Sequence, residues 1–197
     1  MYYTKYLPLL LLALTGCATV TNHGPAPQSG ADSLGASADN ETDLYRQAIT
    51  ELNNSQLEQA ETDLITIARA HPELAGPWVN LALIDIKKNN LESASKNLAK
   101  ALDKNPKMPQ AYNLLGFIET SKGNINKAVG DYRQAITFKQ DYALAHYNLA
   151  LLNDIYLQDI KVAIDHYKRY LELTGYQDKK TADWVQELER NLKRDAQ

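Results

Sequence analysis

The chain has 197 residues, a formal net charge of −3 and 44% hydrophobic residues, enough for one ordinary domain with a core. A charge this close to neutral, with no basic block, excludes the Lys/Arg stripe that a nucleic-acid partner requires. A lone cysteine, Cys17, excludes an internal disulfide.

The N-terminal segment carries Lys5, then Leu7, then the apolar run Leu9 to Leu14, and ends in Leu14-Thr15-Gly16-Cys17. A membrane-spanning helix needs about 20 apolar residues, and this run is much shorter and is preceded by Pro8. A basic start, a short apolar centre and a small residue before the cut are the parts of an export signal. The segment resembles the lipobox of bacterial lipoproteins. That resemblance implies a signal peptide over residues 1–16, a lipid on the Cys17 thiol, and Cys17 as the first residue of the mature chain. Ala18, where an aspartate would mark inner-membrane retention, implies an outer-membrane address facing the periplasm. Each buried acyl methylene contributes about 0.8 kcal/mol, so several chains anchor firmly. A cleaved signal with a free thiol is the alternative.

From Ala18 to Asn40 the sequence is dominated by Gly, Pro, Ala, Ser, Asn and Asp. Such a stretch cannot bury enough surface to offset its chain entropy. It reads, with Cys17, as a flexible tether over 17–40. A coil of this length spans roughly 25–30 Å.

The remainder is periodic. Trp78, Leu81, Ala82, Ala94, Leu98, Ala101 and Pro106 are followed 34 residues later by Tyr112, Leu115, Gly116, Ala128, Tyr132, Ala135 and Gln140. Subtracting the period gives Ala48, Ala60, Leu64 and Pro72; a second addition gives His146, Leu149 and Ala150. An insertion near Leu157–Asp159 then moves the match to Ala163, Tyr167 and Tyr170. Asn89-Asn90 and Gly123-Asn124 stand where paired helices must end, since these residues tolerate the left-handed conformation. The pattern resembles the tetratricopeptide repeat family, and four helix-turn-helix units follow over 41–74, 75–108, 109–142 and 143–177. The fold expected is all-α, an α-solenoid of about four such units. Residues 178–197 form a capping helix and tail, with an apolar stripe of Trp184, Val185, Leu188 and Leu192.

In this family the first helix of each unit lines a groove that holds a partner. Carried over, the groove candidates are Tyr45, Ile49, Val79, Leu83, Ile86, Asn113, Phe117, Tyr147 and Leu151. This surface is mostly apolar and suits an amphipathic helix or a hydrophobic peptide; filling by the chain itself is the alternative. Of the clamp positions that hold chaperone C-termini in some relatives, Asn113 alone matches.

No phosphate loop, nucleophile elbow or helical zinc spacing is found. His146 takes a repeat aromatic's place, His166 reads as surface, and no catalytic residue, metal or cofactor is expected. The resemblance implies a non-enzymatic scaffold or adaptor in a cell-envelope complex: secretin or pilus assembly, outer-membrane assembly, or recruitment of murein enzymes. The partner is then a protein, with the membrane reached through lipid; oligomeric state is left open. The second reading is a carrier or sensor of a small apolar or glycan ligand walled by Phe117, Tyr147, Leu83 and Leu151.

Overall fold

A computed structural model describes residues 35–195. Cys17, the signal segment and the tether up to residue 34 lie outside the described residues. Within them the chain is all-α, a helical repeat. The helices are α1 (Gly35–Asn53), α2 (Leu57–Ala70), α3 (Gly76–Lys87), α4 (Leu91–Lys104), α5 (Pro109–Ser121), α6 (Ile125–Phe138), α7 (Ala143–Leu152), α8 (Ile160–Leu173) and α9 (Lys179–Asp195). A π-helical turn, Asn153–Leu157, joins α7 to α8. The chain divides into two compact units, one ending at Pro106 and the other beginning at Lys107.

The unit up to Pro106 holds two hairpins, α1–α2 and α3–α4. Each turns at a residue with positive φ: Ser55 at 61° and Asn89 at 62°. The next amide closes the helix end, from Gln56 N to Glu51 O at 2.9 Å and from Asn90 N to Asp85 O at 2.7 Å. Ala48, Ala60, Ala82 and Ala94 are fully buried between the paired helices. Their lack of bulk lets the backbones approach, and Leu64 and Leu98 fill what remains. α1 starts at Gly35, inside the segment read as tether. Adding a residue to an existing helix is cheap beside nucleating one, and no proline stands between Pro27 and this helix.

The unit from Lys107 repeats the device. Gly123 turns at φ 79°, and Asn124 N reaches Glu119 O at 2.9 Å. In the last hairpin Gln158 takes the left-handed position at φ 55°, and Asp159 N reaches Asn153 O at 3.0 Å. That closure spans six residues where the others span five. The inserted residue is thus absorbed upstream of Leu157, in the π-helical turn, which is how a helix accommodates one extra residue without losing its hydrogen bonds.

α9 closes this unit. Asp178 caps it, accepting from Thr181 N at 3.1 Å and Thr181 Oγ1 at 2.7 Å. Val185 and Leu188 join a core with Tyr147, Ala150, Leu151, Ala163, Ile164, Tyr167 and Leu171, with Trp184 and Leu192 packed alongside. An apolar face that a repeat cannot cover alone is thereby covered.

Candidate functional site

In the unit up to Pro106, α1 presents Tyr45 and Ile49, both partly buried. The Tyr45 hydroxyl accepts from Asn80 Nδ2 at 2.8 Å, tying α1 to α3. On α3, Val79, Leu83 and Ile86 are only 4%, 2% and 4% exposed. The open apolar surface expected at these three positions is therefore closed in the folded chain. α3 is buried on almost every side, whereas α4 buries only Ala94, Leu98 and Ala101.

In the unit from Lys107, α5 carries Asn113 and Phe117, both buried. Asn113 Oδ1 accepts from Asn148 Nδ2 at 3.0 Å, so α5 and α7, the first helices of their hairpins, are joined amide to amide. Asn113 Nδ2 is buried and has no acceptor. Tyr147 and Leu151 are not an open wall either: they lie in the core that Val185 and Leu188 of α9 complete. Trp184 Nε1 donates to Asp154 Oδ2 at 2.7 Å, pinning α9 to the π-helical turn. A small cleft among Thr120, Tyr132, Asn148, Leu151, Leu152 and Tyr156 has room for about one water, too little for a carried ligand. Among the described residues no cluster of three or more His, Cys, Asp or Glu is placed to hold a metal, and no helix is long and apolar enough to cross a membrane.

Residues 118–153 match the family described as TPR repeat. That stretch is similar to the tetratricopeptide repeat. The match runs from the end of α5 through α6 and α7. Solved structures share the fold. One, described as a functional characterization of Pseudomonas aeruginosa pilF, has a TM-score of 0.70 at 17% identity, covering 81% of this chain and 72% of that one. A thermophilic TPR protein of Thermus thermophilus has a TM-score of 0.64 at 20% identity, covering 79% and 84%. MamA of Desulfovibrio magneticus has a TM-score of 0.55 at 21% identity, covering 70% and 77%. At these identities the likeness is one of fold. A comparison with curated protein sequences found no match.

The 34-residue period also organises polar residues that the apolar pattern passes over. Glu51, Asp85, Glu119 and Asn153 recur at the 34-residue spacing and are all buried. Asp85 accepts from Ser93 Oγ and Asn97 Nδ2, each at 2.8 Å, which fastens α3 to α4. Glu119 accepts from Asn124 Nδ2 and Lys127 Nζ, each at 2.8 Å, which fastens α5 to α6. The bond from Lys127 is the main reason its carboxyl lies below the usual range. Asp85 and Glu119 are thus structural ties of the two central repeats, whereas Glu51 accepts from Gln47 Nε2 and Asn153 donates to Leu149 O, each four residues back along the chain.

Asp131, beside them on α6, is the opposite case. Its Oδ2 is buried without a donor. Burial pushes the carboxyl from 3.8 up to about 6; Lys127 pulls it down and Glu119 pushes it further up. A raised acid binds its proton more tightly in the folded chain than in the unfolded one, so ionisation favours unfolding. The cost is full above pH 6, shrinks as pH falls, and is gone below 3.8. Asp131→Asn should therefore stabilise the protein at neutral pH by about 1–2 kcal/mol, after discounting for partial exposure. The gain should fade to nothing on acidification, as read by urea unfolding of both chains across that pH range.

Proposed function

We propose that this protein is a lipid-anchored scaffold. It holds a protein segment of a bacterial cell-envelope complex of the secretin or pilus, outer-membrane assembly, or murein-enzyme type. The observation that carries the binding reading is the helical-repeat fold, with its TPR match over residues 118–153. Tyr156 and Leu157 stand 44% and 43% exposed beside the last hairpin, and large apolar side chains left in water are the surface an apolar segment of a partner would cover. The envelope address rests on Leu14-Thr15-Gly16-Cys17, and lipid on Cys17 would hold the repeats on the periplasmic side of the outer membrane.

The test has two parts. A photo-reactive residue in place of Ile49 or Tyr156, each reachable at the surface, should trap one or a few envelope proteins in living cells. Cys17→Ala should move the chain out of the membrane fraction and end incorporation of labelled palmitate. The absence of any protein adduct at either position would overturn the scaffold reading; unchanged membrane partition of Cys17→Ala would overturn the anchor.

A further inference from the structure

The last hairpin contains a histidine pair that packing alone does not require. His146 lies on α7 at the repeat position where earlier units hold Trp78 and Tyr112. His166 lies on α8 and is partly buried, not the surface residue that its sequence context predicts. Their Nδ1 atoms are 2.9 Å apart and their ring centroids 5.1 Å apart. The other nitrogen of His146, Nε2, is 3.1 Å from the carbonyl oxygen of Gln140.

These contacts fix the protons. A carbonyl oxygen can only accept, so His146 Nε2 carries hydrogen and, in the neutral ring, His146 Nδ1 is bare. The short contact between the rings then takes its proton from His166, which must be the Nδ1–H tautomer. In the neutral pair, His166 Nδ1–H donates to His146 Nδ1 and His146 Nε2–H donates to Gln140 O. One run of hydrogen bonds thus joins α8, α7 and the turn ahead of α7.

We propose that His146 and His166 form an acid-sensitive latch on the last hairpin, closed while at least one ring is neutral and forced open when both are protonated. The first proton has a harmless place, the outer Nε2 of His166. The second has only His146 Nδ1, where it sets N–H against N–H across 2.9 Å.

The surroundings oppose that charge. Burial is the largest influence on both rings and lowers both below the ordinary histidine range. The bond to Gln140 O pulls His146 back up and Arg169 on α8 lowers it; the charge of His146 lowers His166, Asp165 on α8 pulls it the other way, and Arg133 on α6 lowers it again. A histidine lowered on folding contributes stability that is whole above about pH 6.5 and is lost as pH falls through the lowered value. The latch is thus shut at neutral pH and opens in acid. Opening loosens α7 from α8, and with them Tyr147, Tyr167 and Leu171, the seat of α9.

The test begins with nitrogen NMR of the full chain carrying 15N-histidine at about pH 8. It should show one ring of the pair as Nε2–H and the other as Nδ1–H, the minor form of free histidine. Next, hydrogen exchange over α7–α9, corrected for its intrinsic pH dependence, should rise by about tenfold or more on acidification to about pH 4.5. His146→Tyr, which restores the aromatic of the earlier units, and His166→Gln should both remove that rise. Two Nε2–H rings at neutral pH, or an undiminished rise in both variants, would overturn the latch. The tautomer reading on the unaltered chain decides the matter even where a variant fails to fold.

Discussion

Leu83→Asp should unfold the unit that ends at Pro106. Leu83 is 2% exposed, and its neighbours on α3, Val79, Ile84 and Ile86, are 4%, 0% and 4% exposed. The substitution removes a buried leucine, worth about 1.5–3 kcal/mol. It also places a carboxyl there that must either stay charged without a partner or bind a proton, at a further cost of about 2 kcal/mol or more. A total of roughly 4–5 kcal/mol is most of what an ordinary domain has in reserve. Circular dichroism should show a drop in helicity at 25 °C, or a Tm lower by about 10–20 °C. Ile49→Asp, at a partly exposed position of the same unit, should leave both nearly unchanged. The pair separates two roles that share one register. A chain with Leu83→Asp that kept its helicity yet lost a partner would put Leu83 on an open groove and contradict the burial described above.

That pair also marks how far the sequence could be read. Small residues at fixed 34-residue offsets, Ala60, Ala94 and Ala128, announce where helices must touch, and all three are fully buried. Asn89 and Gly123 announce helix ends because few residues accept positive φ, and both take it. Local chemistry dictates these features, so they are legible. The exposure of Val79 or Leu83 is not local. Periodicity says that a face is apolar, not what lies over it, and so core and groove look alike in the sequence. Tyr147 and Leu151 show the same limit: α9 covers them from more than 30 residues downstream. The ladder of Glu51, Asp85, Glu119 and Asn153 is legible at the same offset once polar residues are tracked. The His146–His166 contact is not, because only the last hairpin has it and no repeat announces it.

The second large effect is a difference between two identical substitutions in one unit. Gly116 and Gly130 both lie inside helices, α5 and α6, where glycine costs about 1 kcal/mol relative to alanine. Propensity alone predicts that alanine stabilises at each. At Gly130, which is exposed, a Cβ meets nothing within 4 Å, so Gly130→Ala should stabilise by about 0.5–1 kcal/mol. At Gly116 a Cβ would stand 2.6, 2.7 and 2.9 Å from Cε1, Cδ1 and Cζ of Tyr132. That ring cannot step aside. It is 1% exposed, and burial of its hydroxyl has already raised its pKa. Thr120 is no looser, since its Oγ1 is bonded to Gly116 O at 2.8 Å. Relief must come from α5 and α6 moving apart, which opens the packing at Ala128 and Tyr132 and costs about 3 kcal/mol or more. Overpacking outweighs propensity, and Gly116→Ala should destabilise by about 2 kcal/mol net. Urea midpoints for the two single variants should therefore move in opposite directions from the parent chain. A Gly116→Ala midpoint at or above the parent's would mean that α5 and α6 are not pressed together at this glycine, and the small-residue account of the hairpin would fail with it.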